Sequence, residues 1–274
     1  MRVIVFGDTH LGDKNYGKHK NYENDSYDTF SRITQVCEEE KADVIILTGD
    51  LSNSVFNKLG YRTKIEELFE RMNVLTNHRI YCVKGNHDKA GYGMTEYEYY
   101  VNKGVIRPSD NITVDKLNIT MIDYGKIEEA VVNKSISKDN LEVVICHDTV
   151  AFEDTNVPPY MTYYNLSEYS KFCNTPLFLV GHIHEFSTIK GKVYDESKST
   201  ASDSMIVYVG CPTRPQLTDD TDNTGHYVLI DSNSLEMKLG EFELLNKEDI
   251  FVMEDKESTE IIGEEARKKI SAFF

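Results

Sequence analysis

A chain of 274 residues carrying 40% hydrophobic and 28% charged side chains has the make-up of a water-soluble globular protein with one large core. No stretch approaches the roughly 20 consecutive apolar residues of a membrane helix, which excludes a helical membrane protein. The net charge of −16 argues against a broad nucleic-acid surface, because such surfaces are built from basic clusters.

Taken in order, residues 2–6 (RVIVF) read as a buried strand running directly into GDTH at 7–10, so no signal peptide is expected at this end. Lys14, Lys18, His19 and Lys20 crowd the next loop, either as a basic grip or as an ordinary solvated turn. Phe30, Ile33, Val36 and Cys37 recur at helical spacing, predicting an amphipathic helix over about 27–40. A second buried strand, 43–48 (DVIILT), ends at TGDL (48–51). A helix follows over about 61–76 on Ile65, Leu68, Phe69, Met72 and Leu75. A third strand, 79–84 (RIYCVK), leads into GNHD at 85–88. This βαβαβ start favours a mainly parallel sheet.

After residue 105 short β-type runs follow at 112–116, 118–123, 142–146, 177–180, 205–209, 226–231 and 235–244. Two sheets packed face to face, with helices outside, would accommodate both halves. The run at 142–146 ends in CHD (146–148) and that at 177–180 in GHIH (181–184). The polar stretch 190–204 (KGKVYDESKSTASDS) is expected to be a mobile loop. The expected division is a main domain over 1–245 and a helical tail over 246–274. Cys37, Cys82, Cys146, Cys173 and Cys211 form no CxxC pair and are odd in number. Reduced core thiols in a cytoplasmic protein are expected.

The five motifs supply Asp8, His10, Asp50, Asn86, His147, His182 and His184. Each motif alone is weak, whereas all five in series, each after an apolar run, are a strong signal. Ligands of open α/β sheets gather beyond the carboxyl ends of the strands, so separate strands would deliver these side chains to one edge. In locally extended chain, Asp8 and His10, like His182 and His184, would share a side. Asp8 and Asp50, each following a hydrophobic strand, would be costly buried charges without a cation or hydrogen bonds. Carboxylate, imidazole and amide donors suit two divalent metal ions. Such a set suits manganese, iron, zinc or magnesium, and its several histidines favour manganese or iron over magnesium, which prefers oxygen. Those ions would also offset part of the acidity of Asp8, Asp50 and Asp88. His19, His78 and His226 read as ordinary core or surface histidines.

The motif series, spanning about residues 1–185, resembles the calcineurin-like metallophosphoesterase superfamily. Within it, DTHLG, the following YG turn and DSYDTF resemble the SbcD-type DNA repair exonucleases, as does VYVGCPTRPQLTD at 207–219. The resemblance implies a four-layer αββα sandwich with two mixed β-sheets. It implies Asp8, His10 and His184 on one metal, Asn86, His147 and His182 on the second, and Asp50 bridging. A hydroxide between the metals would attack phosphorus, and His87 would donate to a phosphoryl or leaving oxygen as the catalytic group that is not a ligand. Asp88 would either orient His87 or serve a turn.

Two departures stand out. Ser52 and Asn53 occupy the stretch where the family carries an acidic residue or histidine, which puts the polarity of an exonuclease in doubt. Only about thirty residues follow the last strand pattern, so a capping domain is minimal or absent. The leading expectation is a manganese-dependent DNA nuclease of repair or recombination, with an SMC-like coiled-coil ATPase as partner. A small-molecule phosphodiesterase is the alternative, favoured by the acidic composition. A non-catalytic interaction module fits less well, because every ligand is kept. In the tail, Ile262, Ala266, Ile270 and Phe273 give one apolar face ending in ISAFF, similar to the clamp-binding box of replication proteins except for Arg267. Its expected destination is a sliding clamp, the ATPase, the chain's own core or a homodimer partner.

Overall fold

The structure, a computed structural model, describes residues 1–12, 22–53, 59–89, 93–108, 110–132, 140–157, 161–195, 200–213 and 224–243. The basic cluster at residues 14–20 and the tail from 246 onward lie outside the described residues.

Strand β1 (Arg2–Phe6) is buried on both faces, as a continuous apolar run in an interior strand should be. Its side chains alternate with period two: Val3 and Val5 enter a core between two sheets, while Ile4 and Phe6 enter a core beneath the helices. Helix α1 (Tyr22–Glu39), β2 (Val44–Leu47), α2 (Leu59–Thr76) and β3 (Ile80–Cys82) complete the βαβαβ unit. The three strands pair in parallel, in the order β1-β2-β3. The two helices pack through Phe30 and Phe69, whose rings meet edge to face at 4.9 Å. Helix α3 (Glu96–Asn102) was not signalled by periodicity. It begins with a capping box in which Thr95 and Glu98 satisfy each other's backbone, typically ~1 kcal/mol of stabilisation.

The second half supplies β4 (Asn111–Val114), β5 (Leu117–Ile122), β6 (Leu141–His147), β7 (Val150–Ala151), β8 (Tyr164–Asn165) and β9 (Leu177–Gly181). After these come β10 (Ser187–Asp195), β11 (Thr200–Tyr208), β12 (Thr224–Asp231) and β13 (Met237–Glu243). One sheet runs β13-β12-β1-β2-β3 and the other β10-β11-β9-β6-β5-β4, both mixed. The fold is α/β with two mixed sheets face to face, joined by a core that includes Val3, Val5, Val44, Ile46, Val143, Ile145, Leu179 and Val207. The outer face of the second sheet is covered by 3-10 turns at Leu166–Glu168 and Ser170–Phe172 and by the β7–β8 pair. Their Leu166, Phe172, Val150 and the neighbouring Phe152 bury Val144, Cys146 and Phe178. Among the described residues, no helix is long and apolar enough to cross a membrane.

The expectation of a loop over 190–204 is corrected. Lys190–Asp195 and Thr200–Ser204 lie in an antiparallel ribbon, in register from Ser187↔Tyr208 to Asp195↔Thr200. Lys192, Thr200 and Asp203 of the ribbon are exposed, whereas Val193 is buried over the 3-10 turns and Ser204 is buried with its hydroxyl donating to the Thr175 carbonyl. Polarity there marks a solvated strand face. Strand periodicity was hidden because only one side chain in that stretch needed to be apolar.

Candidate metal centre

All seven ligand candidates converge at the carboxyl ends of β1, β2, β6 and β9 and in the loop after β3. Asp8, His10, Asp50 and His147 form a buried floor. Asn86, His182 and His184 are half-buried around it, and the exposed His87 stands on the open side.

The backbone reaches this arrangement through left-handed turns and not through extended chain. His10 (φ 41°), Asp50 (φ 43°) and His182 (φ 80°) all lie in the left-handed region. The expectation that Asp8 and His10, or His182 and His184, share a side because the chain is extended is therefore corrected. Asn, Asp and His are the non-glycine types that enter this region most readily. Each such residue still costs of order 1–3 kcal/mol, a strain found where surrounding contacts over-determine the backbone. Those contacts are present: the His182 N–H donates to Asp8 Oδ2 at 2.7 Å, the His10 N–H to the Asp50 carbonyl at 2.9 Å, and the His87 N–H to Asp50 Oδ1 at 2.7 Å. Glycines make room for them. A Cβ on Gly85 would lie 2.1 Å from Asp50 Oδ1, and one on Gly181 would lie 2.4 Å from Asp8 Oδ1.

The polar geometry falls into two halves. In one, His10 Nε2 and His184 Nε2 face each other at 3.1 Å. In the other, Asn86 Oδ1 lies 2.9 Å from His147 Nε2 and 2.9 Å from His182 Nδ1. Asp50 Oδ2 stands between them, 3.7 Å from His10 Nε2 and 3.3 Å from His147 Nε2. Second partners fix two tautomers. His147 Nδ1 is 3.0 Å from the Thr48 carbonyl, which can only accept, so the ring's other nitrogen faces the centre. His10 Nδ1 donates to Asn53 Oδ1 at 2.8 Å, and Asn53 Nδ2 donates back to the His10 carbonyl at 3.2 Å. Sequence reasoning treated Asn53 only as a departure; its contact with His10 crosses 43 positions and has no local signature.

Electrostatics show what this donor set calls for. Burial opposes a charged His147, yet the charge of Asp8 and the hydrogen bond that the ring donates to Asp50 outweigh it and push the imidazole up to about 11. Burial also opposes ionised Asp50, but its hydrogen bond to His147 and the charge there hold it down at about 2. Burial pushes His10 down to about 4, and burial together with the His147 charge lowers His182. The centre thus keeps its carboxylates ionised and gathers positive charge on the one imidazole between them. That charge is the place of a cation, and the neutral rings around it offer lone pairs. The residues fit divalent metal ions as a buried Asp/His binding cluster, with Asp8, His10 and Asp50 able to direct donor atoms at one point.

Asp88 serves the turn. Its Oδ2 accepts from the Gly85 N–H at 2.9 Å and the Leu51 N–H at 3.3 Å, tying the loop after β3 to the end of β2. At the rim, Lys89 Nζ sits 4.4 Å from the centre of the Tyr124 ring, which itself packs 5.6 Å from His182. Neither residue was singled out from the sequence.

The profile of the calcineurin-like phosphoesterase family matches residues 1–186. A stretch of 90 residues, 32% of this chain, is 33% identical to the DNA double-strand break repair protein Mre11 of Sulfolobus acidocaldarius and spans only 22% of that protein's length. A metallophosphoesterase from Sphaerobacter thermophilus superposes with a TM-score of 0.41 at 14% identity, over 89% of both chains. A structure described as a novel archaeal phosphodiesterase gives 0.41 and 14%, over 88% of this chain and 100% of that one.

Proposed function

The chain belongs to the calcineurin-like phosphoesterases, and on that premise we propose that it is a phosphodiesterase of nuclease type, cleaving DNA in repair or recombination. The observation that carries this reading is the convergence of the seven candidate ligands with the exposed His87 ring beside His10, ring centres 5.1 Å apart. In this reading Asp8, His10 and His184 would hold one divalent cation and Asn86, His147 and His182 a second, with Asp50 as the ligand common to both. Manganese is the first cation proposed, with iron, zinc and magnesium as alternatives. Two such ions supply Lewis-acid neutralisation of phosphoryl charge and a water acidic enough to act near neutral pH.

The chain's own residues do the rest. Thr48 and Asn53 hold Nδ1 protons, so His147 and His10 present Nε2 inward. His87 is anchored through its backbone on Asp50 and leaves its imidazole free to donate a proton to a phosphoryl or leaving oxygen. Lys89 offers an ammonium to a flanking phosphate, and Tyr124 positions it by lying beneath it and against His182.

DNA as substrate is favoured by the partial likeness to the Mre11 protein, and a coiled-coil ATPase partner belongs to the same proposal. The net charge of −16 favours a second reading, a small phosphodiester substrate. The deciding experiment offers the manganese-loaded protein linear duplex DNA, single-stranded DNA and cyclic nucleotides side by side. Nucleotide release from DNA is expected. Hydrolysis of cyclic nucleotides alone would replace DNA with the second reading, and hydrolysis of none would end both.

A further inference from the structure

Four of the five cysteines are buried; Cys211 is half-exposed and faces the centre just described. Its Sγ and ring nitrogens of His10 and His184 all lie within 4.8 Å of one another, close enough for a single cation to take all three. The sulfur is held there by its surroundings. The Cys211 N–H donates to the His184 carbonyl at 2.9 Å, and the Asp8 N–H donates to the Gly210 carbonyl at 3.2 Å. Gly210 adopts φ 80°, and a Cβ on Gly7 would fall 1.6 Å from the Gly210 oxygen, so the two segments have no slack between them. Sγ lies 3.0 Å from the Asp8 carbonyl, to which it donates, and 3.3 Å from Thr213 Oγ1.

Resting on the metal-centre reading above, we propose that Cys211 is a further ligand at the His10–His184 position and makes that position selective for a thiophilic divalent cation. Sulfur added to two imidazoles beside the Asp8 and Asp50 carboxylates shifts this set from hard towards borderline, which favours zinc, ferrous iron or cobalt over manganese. Beside the Asp8 carboxylate the His10–His184 position has this sulfur, whereas the Asn86–His147–His182 position has an amide oxygen and no sulfur, so the two positions differ in kind. On binding, the thiol proton now directed at the Asp8 carbonyl passes to solvent and the cation takes its place.

The test loads the metal-free protein with cobalt(II), manganese or zinc and reads metal content, near-ultraviolet absorption and thiol alkylation. Expected are two cobalt ions per chain with a sulfur-to-cobalt charge-transfer band that disappears in Cys211→Ser. Zinc affinity should fall about tenfold or more in Cys211→Ser, as loss of a metal partner typically gives, while manganese affinity stays within about twofold. In the wild type, zinc should protect Cys211 from iodoacetamide, with the modified residue located by mass spectrometry. Cys211→Ala, compared with wild type by thermal unfolding, separates a folding defect from a lost ligand. Two bound cobalt ions with no charge-transfer band, or a band that survives in Cys211→Ser, would overturn the proposal and leave the metal centre standing. A chain that binds no divalent ion would remove the centre itself, and this proposal with it.

Discussion

At the scale of single residues, the centre depends on which nitrogen each imidazole presents, and that choice is made one contact further out. Asn53 fixes the His10 tautomer by accepting from Nδ1 while donating to the same residue's carbonyl. Asn53→Ala is expected to weaken cation binding by about 10–100-fold, the usual effect of losing such a support, with little change in thermal stability of the metal-free protein. Titration of metal into the variant checks this; unchanged affinity would make Asn53 a loop residue only. His87 behaves oppositely. It is exposed and contributes its backbone N–H to Asp50, so His87→Ala keeps that bond and the metal content while turnover falls by roughly two to three orders of magnitude. A variant that loses metal together with activity would make His87 structural. The motif residues were legible because five motifs in a fixed order each follow a run of apolar residues. Asn53, Lys89, Tyr124 and Cys211 were not, since their partners lie elsewhere in the sequence or on another strand, and none belongs to a periodic pattern.

At the scale of elements, the strands carry the pattern and the loops carry the geometry. Alternation in β1 divides Val3 and Val5 from Ile4 and Phe6, and that much is visible in five letters of sequence. The left-handed turns at His10, Asp50 and His182 are not visible, because a turn's φ is fixed by tertiary bonds to Asp8 and Asp50. Helix α3 did have a signature, Thr95 three residues before Glu98, which periodicity alone passes over. The ribbon β10–β11 had almost none. One tight joint between elements lies where the loop after β3 meets the end of β2. Gly85→Ala would place a Cβ 2.3 Å from the Asp50 backbone nitrogen, which cannot swing aside. The expected result is loss of metal binding and a destabilisation on the order of 1–3 kcal/mol, measured by denaturant unfolding. Wild-type metal content in Gly85→Ala would show that the joint is looser than its spacing.

For the whole molecule, one polar cluster ties the outer strands to the helical layer. Glu40, just past α1, accepts from Lys238 of β13 at 2.8 Å and from the Tyr227 hydroxyl of β12 at 2.6 Å. The Lys238 hydrogen bond, followed by that of Tyr227, holds the Glu40 carboxyl below its ordinary value of 4.5. A depressed carboxylate contributes stability that is fully present above the unfolded value and is lost as pH falls through the folded one. Glu40→Gln should therefore be less stable than wild type near neutrality, and the gap should close as pH drops below about 4.5. Thermal unfolding at stepped pH checks this; a constant gap would mean that the charge of Glu40 is not what matters.

The partner that β1 finds on its other edge has a consequence in time. β1 and β2 are neighbours in sequence, but the opposite edge of β1 is closed by β12, in register from Arg2↔Asp231 to Phe6↔Tyr227. The bonds that lock the centre from that side, Asp8 N–H to Gly210 and Cys211 N–H to His184, likewise wait for residues 210–211. A ribosome adds about 5–20 residues per second, so the first motif leaves it on the order of ten seconds or more before the segment that pins it. Through that interval the nascent chain gains the motifs of the centre one at a time without its shape, and the edge of β1 that β12 will cover stays unpaired. The centre is finished only when Cys211 and its neighbours arrive, 203 positions after the Asp8 they pin.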